Sequence, residues 1–272
     1  MNSPLRRIRI CTQVVLLLAA ACTSAPIQPT EPPSPTPAPT ETTSPVATET
    51  PVPSPTDTPS PTPDHAATTA AQETEISLTS VADVGLQLEE YGYNASAGNL
   101  AWRSEEPASL TLTAYNSQDW IVAADQARFS DFIVKTDVTW KSTGGYAICG
   151  IWFRADSSEE DSAHYMFQTI RLSGFPSWDV EYWKFNEWQA TLSPGGNVIS
   201  TPHIDQEQGS TNTFVLAAEG NQVTLYANGH RLGIASITTL SEGLVAFYAW
   251  QDSGETTCTF GNAWIWDLTA AP

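Results

Sequence analysis

Beyond residue 98, short apolar or alternating runs recur with polar turn residues between them. The most informative is Tyr146-Ala147-Ile148-Cys149-Gly150-Ile151-Trp152-Phe153-Arg154. β-Branched and aromatic residues dominate it, and its length suits a strand rather than a helix. Ala147, Cys149, Ile151 and Phe153 alternate onto one face, none of them charged. Ile148, Gly150, Trp152 and Arg154 alternate onto the other, which ends in a cation. Two apolar faces predict a central strand covered on both sides, the first face core and the second the floor of something wetter. Strands are also predicted at Leu110–Tyr115, Phe132–Trp140, His164–Arg171, Trp178–Phe185, Glu187–Leu192, Phe214–Ala218, Val223–Ala227, Leu244–Trp250 and Thr257–Trp266. Asn228-Gly229 is a hairpin signal, because a type I′ turn needs positive φ at both central residues. Residues 73–98 predict a lead-in with one short strand, and no amphipathic helix of useful length stands out. Many short strands with frequent turns predict an all-β fold, a two-sheet antiparallel β-sandwich.

The first third of the chain changes the picture. Arg6, Arg7 and Arg9 precede an apolar run from Val14 to Ala21, which reads as a signal peptide over 1–21. Ala19-Ala20-Ala21-Cys22 resembles a bacterial lipobox, although Ala19 stands where that pattern prefers Leu. The resemblance implies lipidation (palmitate) at Cys22, with ordinary cleavage near Ala21 as the competing reading. Residues 22–75 are rich in Pro, Thr and Ser, too poor in apolar surface to offset chain entropy, and predict a disordered, semi-extended tether. At roughly 3 Å per residue it would hold a domain on the order of 100 Å from its anchor. The folded part is expected over 86–272.

The chain carries 30 Asp+Glu against 11 Lys+Arg, a net charge of −19. That argues against nucleic acid and anionic membrane as partners and leaves a glycan or other neutral ligand, or a divalent cation. Membrane contact is expected through the lipid anchor only, and the protein is expected to be a monomer. Once Cys11 leaves with the signal and Cys22 is the anchor, Cys149 and Cys258 remain. In an oxidising compartment a disulfide is the natural reading, with two free buried thiols as the alternative.

A hairpin from Phe153 to Tyr165 places Arg154 opposite His164, Phe153 opposite Tyr165, Ile151 opposite Phe167 and Cys149 opposite Thr169. Trp152, Arg154, His164, Met166 and Gln168 then share the outer side. In the next strand Trp178, Val180 and Tyr182 are core, while Asp179, Glu181 and Trp183 join the outer face. A slip of one residue would invert all of this. Trp152, Arg154, His164, Gln168, Asp179, Glu181 and Trp183 form a sugar-binding inventory, since flat rings cover the apolar faces of pyranoses and planar polar groups bind hydroxyls. Arg154 with Asp179 or Glu181 is equally readable as a structural cross-strand pair.

Phe129-Ser-Asp131-Phe132, Cys149-Gly-Ile-Trp-Phe153-Arg154, His164-Tyr165-Met-Phe167, Tyr226-Ala-Asn228-Gly229 and Phe260-Gly-Asn262, in that order, resemble the concanavalin A-like lectin/glucanase sandwiches. The nearest are laminin-G-like and 3-keto-disaccharide-hydrolase-type domains, over roughly residues 100–268. The resemblance implies a jelly roll of two curved sheets with a concave face that often holds carbohydrate, in an exported, surface-anchored lipoprotein. It does not fix a function, since the fold hosts lectins, hydrolases and structural modules. Asp179 and Glu181, at i and i+2 on a strand, would stand about 7 Å apart, a spacing that permits glycoside hydrolysis. The glucanases of this fold carry a Glu-x-Asp-x-x-Glu pattern, however, and Asp179-Val180-Glu181 lacks its third carboxylate. The expected reading is therefore a non-catalytic glycan-binding module, with a hydrolase using Asp179 and Glu181, or a protein-interaction sandwich, as alternatives. No cofactor is expected. The loop Asp156–Asp161 is acidic enough to raise Ca²⁺, but it lacks alternating ligand spacing and reads as a solvated hairpin loop. Cys258 and Phe260 are expected in the core, with Trp264 and Trp266 capping the sandwich end.

Overall fold

The computed structural model describes residues 80–172 and 175–269. The expected signal peptide (1–21), lipidated Cys22 and tether (22–75) lie outside the described residues. A helix, α1 (residues 80–90), comes first and spans the domain boundary expected at residue 86. The strands follow in order: β1 (Asn99–Arg103), β2 (Ala108–Leu112), β3 (Ser117–Val122), β4 (Phe132–Ser142), β5 (Tyr146–Ala155), β6 (His164–Leu172) and β7 (Phe175–Lys184). Then come β8 (Glu187–Thr191), β9 (Ile199–Ser200), β10 (Thr211–Glu219), β11 (Gln222–Ala227), β12 (His230–Ser236), β13 (Leu244–Gln251) and β14 (Thr256–Asp267).

They form two antiparallel sheets of seven strands each. One runs β1-β14-β4-β10-β11-β12 with β2 beside β14, and the other runs β3-β13-β5-β6-β7-β8 with β9 beside β7. This is the two-sheet architecture that the concanavalin A-like resemblance implies. Alternation builds the core between them. Phe132, Val134, Val138 and Trp140 of β4, Cys149, Ile151 and Phe153 of β5, and Trp178 and Val180 of β7 are all buried there. The expected register holds: Phe153 pairs with Tyr165, Ile151 with Phe167 and Cys149 with Thr169. The Asn228-Gly229 turn joins β11 to β12, with φ of 50° and 78°.

Three expectations are overturned. The lead-in is a helix, not a strand. Val84 and Leu88, one turn apart, are buried against Ile133, Val215, Trp264 and Trp266 on the outer face of the first sheet. The helix ends in a Schellman motif: Gly92, at φ 82°, donates to Glu89 O, and Tyr93 donates to Leu88 O. Two apolar positions are a faint signal in sequence, and the tertiary contact is what makes the segment helical. Trp264 and Trp266 do not cap the sandwich end. A bulge at Asn262, φ 48°, breaks the β4–β14 register between Gly261 and Trp264. The extra residue flips parity, so Ala263 and Ile265 enter the core and both tryptophans lie under α1. Trp264 donates to Gln87 Oε1 at 3.2 Å and Trp266 to Ala97 O at 2.8 Å.

Arg154 also leaves the face predicted for it. It sits at φ 51° where the β5–β13 register shifts, and its side chain is buried among loop carbonyls. It donates to Ser130 O at 2.6 and 3.0 Å, Gly220 O at 2.9 Å and Leu240 O at 3.1 Å, and pairs with Asp131 at 3.3 Å. Neither Asp179 nor Glu181 is its partner. Replacing Arg154 with Met should leave those carbonyls without donors and cost roughly 3–5 kcal/mol. Chemical denaturation would show this as a lower midpoint.

The disulfide Cys149–Cys258 is formed, with a Cα–Cα distance of 5.8 Å, and ties β5 of one sheet to β14 of the other. It closes a loop across a sequence separation of 109. Cys149→Ala with Cys258→Ala should cost about 4–5 kcal/mol on the chain-entropy view. Melting of the oxidised parent against the double variant would measure it.

Candidate functional site

The outer faces of the two sheets differ. α1 covers part of the first. On the second, Ile148, Trp152, Met166, Ile170, Ala246 and Tyr248 form an apolar layer flanked by Trp120, Tyr146, Trp183 and Trp250, and among the described residues no helix lies over it. A cavity of about 510 Å³ opens on this face. Register explains its lining. On β6 and β7, Gln168 pairs with Asp179, Met166 with Glu181 and His164 with Trp183, all directed outward. On the other side of β5, Tyr248 of β13 pairs with Gly150, which in turn pairs with Gln168 of β6. The missing side chain at Gly150 separates Tyr248 from Gln168, and a Cβ there would stand 2.6 Å from Phe167 O. Glu160 and Asn186, from two hairpin loops, complete one rim, with Asn186 donating to Glu160 at 2.9 Å.

Four of the seven residues predicted from sequence line this cavity: Gln168, Asp179, Glu181 and Trp183. Trp152 and His164 lie in a small extension of about 20 Å³, which Trp183 also borders. Their rings stack at 4.0 Å. Burial pushes the His164 imidazole down to about 4, so it is neutral at pH 7, with Nδ1 3.1 Å from Ser162 O. These two side chains support the cavity from beneath rather than line it. Arg154 takes no part.

Sequence reasoning missed Tyr146, Tyr248, Trp250 and Gln118. Tyr146 has the parity of Ile148 and was within reach of the same alternation. Tyr248, Trp250 and Gln118 come from β13 and β3, whose long-range pairing to β5 leaves no local signal. Trp188 was not among the seven predicted site residues. It pairs with Trp183 across the β7–β8 hairpin and is half exposed, so the aromatic surface extends past the cavity mouth.

The chemistry of the lining is acidic. Asp179, Glu181 and Glu160 line the cavity, and among the described residues no Lys, Arg or His does. Asp179 is 2 % exposed, and its Oδ1 has no hydrogen-bond partner. Burial, reinforced by the neighbouring Glu181 charge, pushes its carboxyl up to about 7. Burial also raises Glu181, against hydrogen bonds that favour its ionised form. Trp183 Nε1 donates to Glu181 Oε2 at 2.7 Å and Gln168 Nε2 donates to the same oxygen at 2.5 Å. Tyr146 is pushed up to about 12 by burial and by Asp179, Glu181 and Asp252. Among the described residues no group of three or more His, Cys, Asp or Glu side chains is placed to hold a metal ion.

No family model and no curated protein matches this sequence. Among solved structures the chain is similar to the carbohydrate-binding module CBM66 from Bacillus subtilis, at 17 % identity and a TM-score of 0.47, covering 63 % of this chain and 96 % of that one. It is similar to the legume lectin-like domain from Entamoeba histolytica, at 9 % identity and a TM-score of 0.45, covering 62 % and 87 %. It is also similar to a prokaryotic β-1,3-1,4-glucanase from a mouse hindgut metagenome, at 8 % identity and a TM-score of 0.42, covering 64 % and 85 %. At this distance none of them says what this chain binds.

The buried acid makes a stability prediction. The ordinary carboxyl value is 3.8, and the folded value is about 7. Between those values the folded state holds a proton that the unfolded chain has released, so stability falls as pH rises through that window. The loss should reach roughly 3–5 kcal/mol above neutrality. Asp179→Asn removes it. Melting at pH 4.5 and pH 8 should show the variant gaining on the parent at the higher pH, and an unchanged difference would mean Asp179 titrates normally.

Proposed function

We propose that this domain is a non-catalytic carbohydrate-binding module. The observation that carries this reading is the uncovered face of the second sheet. There Tyr146, Trp183 and Trp250 offer ring faces, and Gln118, Gln168, Asp179 and Glu181 offer polar atoms, around a cavity large enough for a sugar unit. Rings of this kind stack on pyranose C–H faces, and fixed amide and carboxyl groups choose among hydroxyls. Trp188 extends the platform toward a second sugar. The seven residues singled out from sequence enter the proposal unequally: Gln168, Asp179, Glu181 and Trp183 as ligand contacts, Trp152 and His164 as support, and Arg154 as a structural clamp.

In the same proposal the protein is an exported lipoprotein. Lipidated Cys22 is the anchor, and residues 22–75 hold the sandwich, expected as a monomer, away from the membrane surface. No described helix is long and apolar enough to cross a membrane.

A second reading has its own observation. Asp179 and Glu181 are adjacent on one strand face, one held near neutrality and the other bonded by two N–H groups at a single oxygen. Carboxyls with different environments are what an acid/base pair for glycoside hydrolysis requires.

A polysaccharide pull-down with the purified protein tests both readings. Saturable retention should fall at least about tenfold in Trp183→Ala, in line with the loss of one stacked aromatic. Undiminished retention in that variant would sink the aromatic-platform reading. Reducing-sugar release from the retained polysaccharide, abolished by Glu181→Gln while retention persists, would replace the module with a hydrolase. Mass spectrometry of the mature N-terminus should find acylated Cys22.

A further inference from the structure

The cavity carries a charge imbalance that sugar hydroxyls alone would leave in place. Among the described residues three carboxyl side chains line it, without a single cationic side chain. Glu160 is bonded by Gln118 Nε2 and Asn186 Nδ2, both at 2.9 Å. Glu181 is bonded by Gln168 and Trp183. Asp179 differs from both, being almost wholly buried with an oxygen that has no donor. An unpaired buried carboxyl is costly, and the cost is relieved by a proton or by a cation. Arg154, predicted for this face, is turned instead to the loops at Ser130, Gly220 and Leu240. The described residues also offer no metal-holding group. Anionic sugars such as uronates, sialates or sulfated units would face Asp179, Glu181 and Glu160 with no partner for their own charge.

Resting on the carbohydrate-binding reading, we propose that the site is selective for an amino sugar, its protonated amine received by Asp179 and its ring by Trp183. The ammonium supplies donors to Asp179 and offsets the charge it shares with Glu181. Tyr146, Trp183, Tyr248 and Trp250 line the same cavity, and a cation over an aromatic face is further stabilised. The titratable groups facing Asp179 are Glu181 on its own strand, Tyr146 from β5, Tyr248 from β13 and Glu160 from the loop after β5, with Asp252 acting on Tyr146. All of them are acidic, so none supplies positive charge to Asp179. Binding of the amine therefore strengthens as pH rises from 5 to 7 and Asp179 ionises. A sugar with a hydroxyl or an acetamide in place of the amine shows no such rise.

The test uses the intact purified protein and three β-1,4-linked disaccharides that differ only at C2, made of glucosamine, N-acetylglucosamine or glucose. Tryptophan fluorescence reads binding at pH 5 and 7. The glucosamine disaccharide should bind at least about tenfold more tightly than the glucose disaccharide at pH 7, since one unscreened charge contact contributes that much. The advantage should shrink at pH 5. Asp179→Asn should abolish the preference for the amine over the neutral disaccharides and its pH dependence, read as the ratio of affinities within each protein. Because that variant changes the net charge by only one, its loss separates the site from general attraction to an acidic protein. Equal binding of amine and neutral disaccharides by the parent overturns this inference and leaves the carbohydrate module standing. A preference that survives in Asp179→Asn also overturns it, by moving the contact elsewhere. Binding of none of the three by a folded protein overturns this inference, and the polysaccharide pull-down decides the carbohydrate module separately.

Discussion

Strand parity is the constraint on which the rest of this structure depends. In a sheet each side chain faces opposite to its neighbour, so one register commits every residue of a strand at once. Along β5, β6 and β7 that commitment sends Cys149, Ile151, Phe153, Tyr165, Phe167, Trp178 and Val180 inward. The same register sends Gln168, Asp179, Glu181 and Trp183 outward to the cavity. Core and site are two sides of one decision. The disulfide supports it, because Cys149 can reach Cys258 only if β5 presents that parity to β14. Parity is then broken deliberately in two places. The bulge at Asn262 moves two tryptophans out to receive α1, and the left-handed residue Arg154 turns its guanidinium from the outer face into the loops. Each break joins the sandwich to something that regular alternation would not reach.

How much was legible in the sequence follows from the same rule. Alternation is local, so β4, β5, β6, β7, β10 and β11 could be read directly, and with them the core and four of the cavity residues. The hairpin between β5 and β6 carried the register across. What was not legible was either non-local or a departure from alternation. β13 belongs beside β5 although almost 90 residues separate them, so the contribution of Tyr248 and Trp250 had no trace in either stretch alone. Arg154 was misplaced because a bulge depends on what the partner strand does. α1 was missed because Val84 and Leu88 are too few to mark an amphipathic face, and Trp264 and Trp266 make them sufficient.

The two outer faces show how a small difference in cover separates structure from chemistry. On the first sheet, Trp264 and Trp266 have their indole N–H groups bonded to α1 and the segment after it, and Tyr93 adds a bond to Glu219 at 3.1 Å. That surface is satisfied by the chain itself. On the second, Trp120, Trp152, Tyr248 and His164 stack on one another, which rigidifies the layer. Trp183 and Trp250 remain at its edge, in the cavity where the fold leaves the Asp179 carboxyl incompletely paired. A rigid aromatic floor under polar groups lowers the ordering cost of binding, since little there has to be immobilised when a ligand arrives.

The burial of Asp179 then has to be weighed as a cost with a function. A neutral or apolar residue at that position would spare the fold the desolvation of a carboxyl, and β7 would pair equally well with β6. Glu181, two residues on, shows that this chain can satisfy a carboxylate here when it supplies N–H donors, and it supplies them to Glu181 rather than to Asp179. The two acids are thus treated differently by one environment. One is held in place by the protein, and the other is left short of a partner at the wall of an open cavity. A ligand that brings its own positive charge completes the second acid at the least expense, because it restores the missing donors and removes the repulsion from Glu181 in a single contact.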